Sequence, residues 1–345
     1  MKKLVLLLLF PLQVVLSQQP YYDDVDLSLT GQDLYFELQQ KISNASGSFN
    51  YGDVKLAFFE MDNNPENGDD VLLIYGYNDG DGNCTTDRSR NKQAFGGTNC
   101  EYNREHTFAR SNTNPTMGDV SNSTTGIGAD PQNLRPSDQQ ANNNKGNKKF
   151  AAGAGNAGDV TSGNWYPGDE WRGDVARILM YMYTRYGDRC IPSLQAVGSL
   201  EPGTDMMQIL LQWNAEDEVS ALEMQRNPYL EQAYGNRNPF IDQPQLATII
   251  WGGPEAQDIW ATAGVNDISV NDFSVFPNPT SERLWIESTS QSINTVSLYD
   301  GQGRQVFATD YTASKGIDLS AFTTGMYFLK IENEVGVVTK KVVVK

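Results

Sequence analysis

Asn103-Arg104-Glu105-His106-Thr107-Phe108 carries the only histidine in a chain of 345 residues. Imidazole is the one side chain whose unperturbed pKa lets it accept a proton near neutrality, so any imidazole chemistry here runs through His106. Several hydrolase designs are thereby excluded. A His-Glu-x-x-His zinc site needs two imidazoles on one helical turn, and a serine hydrolase needs a Gly-x-Ser-x-Gly elbow; the chain has neither. What survives is a single-base mechanism helped by a metal that oxygen ligands hold. Glu105 and His106 are neighbours, and on a regular strand neighbouring side chains point to opposite faces. For both to address one phosphate, they are predicted to lie at a strand end or on distorted backbone.

Downstream, Asp130-Pro131-Gln132-Asn133-Leu134-Arg135-Pro136-Ser137-Asp138-Gln139-Gln140 leads into Ala141-Asn142-Asn143-Asn144-Lys145-Gly146-Asn147. Ser137 with Gln140 three residues on is a capping-box pattern and predicts the start of a helix. On that helix Asn142, Lys145 and Lys149 share one face, an amide oxygen beside two ammonium groups. Such a face suits a hard cation and the phosphates it holds. Alone, the stretch reads better as an Asn-rich, poorly helical surface loop. Joined to Arg104-Glu105-His106 it supplies every part of metal-assisted phosphodiester hydrolysis. Glu105 and Asn142 hold Mg²⁺ or another divalent cation, His106 deprotonates the attacking water, and an arginine grips the phosphate.

Residues 1–17 read as a secretory leader: Lys2-Lys3, an apolar run from Leu4, then Ser17-Gln18. No other long apolar run exists, so no membrane span is expected. In an oxidising compartment Cys84 and Cys100, flanking a Gly- and Asn-rich loop, are expected to form a disulfide, leaving Cys190 odd. The net charge of −17 argues against a polyanion partner until it is divided along the chain. Residues 88–149 carry nine Lys and Arg against five Asp and Glu, so the mature chain is positive only around His106. A basic groove on an acidic body and a merely solvated basic loop both fit that pattern.

Thr30-Gly31-Gln32-Asp33 opens a helical pattern through Lys41, whereas Val54 to Phe59 and Asp70 to Tyr77 read as short strands. The acidic turn from Asp62 to Gly68 between them lacks EF-hand spacing and reads as an ordinary loop. Asp169-Glu170 begins the clearest helix, with Trp171, Val175, Ile178, Met182 and Tyr186 as a core stripe and Gly187 as its stop. Thr204 to Asn214 and Ser220 to Tyr234 are further helices, the second interrupted at Pro228. From about residue 270 the pattern changes to strands and turns, a small all-β sandwich with no catalytic constellation.

The separated blocks Cys100-x-x-Asn103-Arg104-Glu105-His106-Thr107-Phe108, Asn133-Leu134-Arg135-Pro136 with Asn142 and Asn147, Trp171-Arg172-Gly173-Asp174-Val175-Ala176-Arg177, Leu211-Gln212-Trp213-Asn214 and Gly235-Asn236-Arg237-Asn238-Pro239-Phe240-Ile241-Asp242 occur in an order that resembles the endonuclease I family. The resemblance implies a secreted, sequence-tolerant ββα-metal nuclease acting on DNA and RNA. It implies His106 as general base, Glu105 and Asn142 as metal ligands, and a phosphate-binding arginine for which Arg237, Arg135 and Arg104 are candidates. The tail, with Phe276-Pro277-Asn278-Pro279 and Gly325-Met326-Tyr327, resembles a type IX secretion sorting domain, which implies a Bacteroidetes-like host and a partner in that secretion machinery. Relatives usually carry His where this chain has Gln132 and Gln243, and an orienting role for position 132 is favoured. The expected architecture is α+β: a leader at 1–17, a mixed helix and short-strand nuclease domain at 20–265, and a β-sandwich at 270–345, extracellular or at the cell surface and monomeric. A glycoside hydrolase using two of the many carboxylates, or a non-catalytic nucleic-acid binder or adhesin, are the competing readings.

Overall fold

The computed structural model describes residues 18–160, 163–260, 273–288, 293, 295–311, 315–332 and 337–345; the leader expected over 1–17 lies outside the described residues. The chain divides into two compact units, residues 1–260 and 261–345. In the first, α1 (Gly31–Ser43) and α2 (Val54–Met61) precede the short strands β1 (Asp70–Leu72) and β2 (Ser89–Asn91). Then come β3 (Tyr102–His106), β4 (Leu134–Asp138) and α3 (Gln139–Lys145), followed by β5 (Gly158–Val160) and β6 (Asn164–Tyr166). Helices α4 (Arg172–Tyr186), α5 (Gln208–Glu216), α6 (Ala221–Tyr234), α7 (Pro239–Asp242) and α8 (Gln245–Trp251) complete it. Among the described residues its strands form three separate antiparallel pairs, β1 with β2, β3 with β4 and β5 with β6.

The core is built around α4. Its residues from Gly173 to Thr184 are buried on every side, more than the single stripe expected, because α1 and α5 both pack against it. Leu34, Leu38 and Ile42 of α1 and Leu210, Leu211 and Trp213 of α5 close that core. Gly187 ends α4 with φ 54°, a backbone conformation that suits glycine.

Four sequence expectations are corrected. Val54 to Phe59 is helix, not strand; Val54, Ala57, Phe58 and Met61 are buried at spacings of three and four, and that period prevails over the aromatic content. Of Asp70 to Tyr77 only Asp70–Leu72 pairs as strand. Helix α6 runs through Pro228 without a break, anchored by a capping box between Ser220 and Glu223 and by left-handed Gly235. The cap of α3 is Asp138, whose carboxylate accepts from the backbone N–H groups of Gln140 (2.7 Å) and Ala141 (3.0 Å), while Ser137 stays in β4.

The second unit is two antiparallel sheets. Gln305–Asp310, Thr295–Tyr299, Gly325–Glu332 and Val337–Val344 form a four-stranded sheet in that order, and Ile317–Asp318, Arg283–Ser288 and Phe273–Phe276 a three-stranded one. Phe273, Leu284 and Ile286 from one meet Leu298, Leu329 and Ile331 from the other in a shared core, so the expected sandwich is present.

Candidate active site

Strands β3 and β4 pair antiparallel with Glu105 opposite Arg135 and His106 opposite Leu134, and α3 follows β4 directly. Glu105 and His106 are thus the last two residues of β3. Asn133 fixes the chain just beyond: its amide oxygen accepts from Phe108 N–H (2.7 Å) and its amide nitrogen donates to Phe108 carbonyl (3.1 Å). On the opposite flank Tyr75 adopts φ 74°, a strained backbone for a bulky residue, and this directs its hydroxyl to donate to Glu105 Oε1 at 3.0 Å. Gly76 makes that turn possible, because a Cβ there would lie 2.1 Å from the Asp87 carbonyl oxygen.

Glu105, His106, Asn142 and Arg104 line one cavity of about 450 Å³, together with Tyr51, Arg110 and Asn147. His106 is buried, and its Nε2 lies 2.8 Å from the Gly128 carbonyl oxygen. A carbonyl only accepts, so Nε2 carries the ring proton and Nδ1 keeps its lone pair. The Tyr51 ring stacks on the imidazole at 5.5 Å, and the Arg104 guanidinium lies 3.8 Å from the same ring. Burial lowers the imidazole pKa to about 4, with the charges of Arg110, Lys145 and Arg104 adding to the effect and the Gly128 bond opposing it. His106 is therefore a neutral proton acceptor throughout the neutral range.

Glu105 is also buried, which pushes its carboxyl pKa up; the Lys145 ammonium, 3.1 Å from Oε1, and the Tyr75 hydroxyl oppose that. Both donors sit on Oε1, and Oε2 takes part in no hydrogen bond among the described residues. Asn142 donates its amide to Asn103 Oδ1 at 2.7 Å, leaving its own Oδ1 without a donor among the described residues. The cavity thus offers one carboxylate oxygen and one amide oxygen that the fold does not consume. Hard oxygen donors in small number suit a cation that keeps most of its water, as Mg²⁺ does. Among the described residues no group of three or more His, Cys, Asp and Glu could hold a metal ion.

Of the arginines expected to face phosphate, only Arg104 reaches the cavity. Arg135 is 1 % exposed, with Nε 3.0 Å from Asp62 and Nη1 2.7 Å from Asp174. It belongs to a buried set in which Asp62, Asp174 and Glu223 face Arg135, Arg177 and Arg226. Arg237 is held by Asp242 and Glu231, and Asp242 also accepts from Tyr22. Both guanidiniums are spent on carboxylates inside the fold. Asp62, the first acid of the turn read as a plain loop, is a buried partner of two arginines, so its charge is balanced without a cation. Lys149 lies beyond the end of α3 and donates to the Ser193 carbonyl, and Lys145 turns inward to Glu105, so the expected basic face does not form. Gln132 is buried against Asn227, and Gln243 binds Asp258 and the Ile259 N–H; neither lines the cavity.

Sequence reasoning missed Tyr75, Tyr51 and Arg110, and it read Lys145 as part of a phosphate-facing surface rather than as the partner of Glu105. Arg110 had a signal: it lies four residues after His106 in the one basic segment. The others depend on contacts between residues distant in the chain. Cys84 and Cys100 are joined as a disulfide, and Cys190 is a buried free thiol.

The family model for endonuclease I matches residues 30–245, and that for a secretion system C-terminal sorting domain matches residues 274–345. An extracellular ribonuclease of Bacillus subtilis (strain 168) is 37 % identical over 243 residues, 67 % of this chain and 78 % of the relative. An extracellular ribonuclease of Bacillus amyloliquefaciens is 36 % identical over 223 residues, 61 % of this chain and 71 % of the relative. The protein is secreted, with a sorting tail of the type IX kind. No helix among the described residues is long and apolar enough to cross a membrane. With 216 consecutive positions, including the strand pair, the helix after it and the cavity they enclose, falling within the match, the chain belongs to the endonuclease I family.

Proposed function

We propose that the protein is an exported, divalent-metal-dependent endonuclease that hydrolyses phosphodiester bonds in DNA and RNA with little regard to sequence. The observation that carries this reading is the convergence of His106, Glu105, Asn142, Arg104 and Arg110 on one open cavity. His106 Nδ1 takes a proton from a water whose oxygen attacks phosphorus, and the bond from phosphorus to the 3′ oxygen breaks, the alkoxide taking its proton from solvent. The Gly128 carbonyl holds the ring and steadies the imidazolium formed. Glu105 and Asn142 would hold the cation, which supplies Lewis-acid stabilisation of charge on the phosphate oxygens. Arg104 and Arg110 replace Arg237 and Arg135 as the guanidiniums that position the phosphate. Residues 1–17 serve as the export leader. The names of the two Bacillus relatives support RNA as one of the substrates.

The test is cleavage of supercoiled plasmid and of single-stranded RNA in Mg²⁺, with and without EDTA. Chelation is expected to abolish both activities, and His106→Ala to lower the rate by about 10²- to 10⁴-fold. Undiminished cleavage by the variant, or in EDTA, would reject the mechanism.

A further inference from the structure

Helix α3 separates two cavities. Asn142, Gly146 and Asn147 line the catalytic one, whereas Ala141, Asn144 and Lys148 line a second of about 440 Å³. Tyr75 links them: its hydroxyl donates to Glu105 in the first and the residue lines the second. The second cavity is aromatic. Trp165, 5 % exposed, is its buried side and Tyr77, 36 % exposed, its open side. Lys148 Nζ, paired with Asp159, stands 5.8 Å from the Trp165 ring centroid, and the Trp165 indole N–H finds no acceptor among the described residues. Asn144 and Thr85 add amide and hydroxyl groups at the edge.

We propose that this second cavity receives an unstacked nucleobase of the substrate strand, lying beside Tyr77 above Trp165, and so makes the enzyme favour single-stranded substrate. A nucleobase has a π-face for an aromatic wall, carbonyls for an orphaned N–H, and ring edges that amides and hydroxyls read. Lys148 is paired with the Asp159 carboxylate at the same edge, so the attraction rests on the aromatic walls and the indole N–H rather than on a free cation. A helix with its side chains is about 10 Å across, so the base sits within about three nucleotides of the cleaved bond at a stacked spacing of about 3.4 Å. A base in a duplex must leave its stack and its partner to enter, which a single strand need not do. This inference rests on the nuclease reading for the strand that occupies the first cavity.

The test is anisotropy with a labelled 12-nucleotide single strand in EDTA, with one abasic site moved through each position. Wild type and Tyr77→Phe are expected to lose about ten-fold in affinity at one abasic position, and Tyr77→Ala to bind the intact strand about ten-fold more weakly with no further loss at that position. Asn144→Ala, on the exposed side of α3, is expected to narrow the difference between bases at the same position. Uniform affinity across the abasic scan in wild type, or an unchanged abasic effect in Tyr77→Ala, overturns the subsite. Plasmid cleavage by wild type in Mg²⁺ is scored separately: its absence defeats the nuclease reading, and its presence with a flat abasic scan defeats the subsite alone.

Discussion

At His106 one hydrogen bond decides which nitrogen keeps its lone pair, because the Gly128 carbonyl takes the proton-bearing Nε2 and leaves Nδ1, the atom to which the proposed base role falls. Residue type alone pointed to His106, Glu105 and Asn142, since their chemistry is intrinsic to the side chains. The arginines were not legible in this way. Every guanidinium can bind phosphate, and which one does depends on which acids lie beside it after folding. That difference is measurable. Arg110→Ala is expected to lower kcat/KM by about ten-fold or more, the loss of a charge-assisted phosphate contact, with the melting temperature unchanged. Arg135→Ala is expected to do the reverse. It leaves Asp62 and Asp174 short of a buried counter-charge, about 3–5 kcal/mol of stability by denaturant titration, while the folded fraction keeps its kcat. Cys190 belongs to this scale too. Burial pushes its thiol pKa up to about 12, so native protein should resist iodoacetamide at pH 8 and take up one equivalent when unfolded without reductant. Labelling of the native state would show that the thiol is accessible.

Among elements, α3 was expected for a sound reason and with the wrong cap. Two consecutive residues, Ser137 and Asp138, can both serve; both pair with β3, and it is Asp138, the last residue of β4, whose carboxylate caps the helix. Asp138 also binds Arg90 at 2.6 Å, and Arg90 reaches the Cys84 and Glu101 carbonyls. Asp138→Ala therefore removes a helix cap, about 1 kcal/mol, and takes from the buried Arg90 guanidinium one of its two carboxylates, leaving it Asp87 at 2.9 Å. A lower melting temperature is expected together with a higher Mg²⁺ concentration for half-maximal cleavage, because Asn142 lies on the helix so released. An unchanged Mg²⁺ titration would separate the cap from the metal. The misreading of Val54 to Phe59 has a related origin: six residues, apolar except for Lys55, fit strand and helix alike, and Met61, just past them, completes the helical period.

At the scale of the molecule the change of pattern near residue 270 was legible because a sandwich and a helical core bury different periodicities. Each unit has its own apolar core, so protein lacking residues 261–345 is expected to retain kcat/KM on plasmid and RNA. A large loss of specific activity would mean the tail serves catalysis. The competing glycosidase reading loses force at this scale, since the buried carboxylates Asp62, Asp130, Asp174 and Glu223 are engaged by arginines. The interior set of Asp62, Asp174 and Glu223 with Arg135, Arg177 and Arg226 has one more consequence. Its six members come from the end of α2, from β4, α4 and α6, and removal of any one leaves an unneutralised ion in a dry interior. A lineage can then replace them only in opposite-charge pairs or all together with apolar groups, so among descendants of this gene these positions should drift as linked blocks while the surface around them diverges freely.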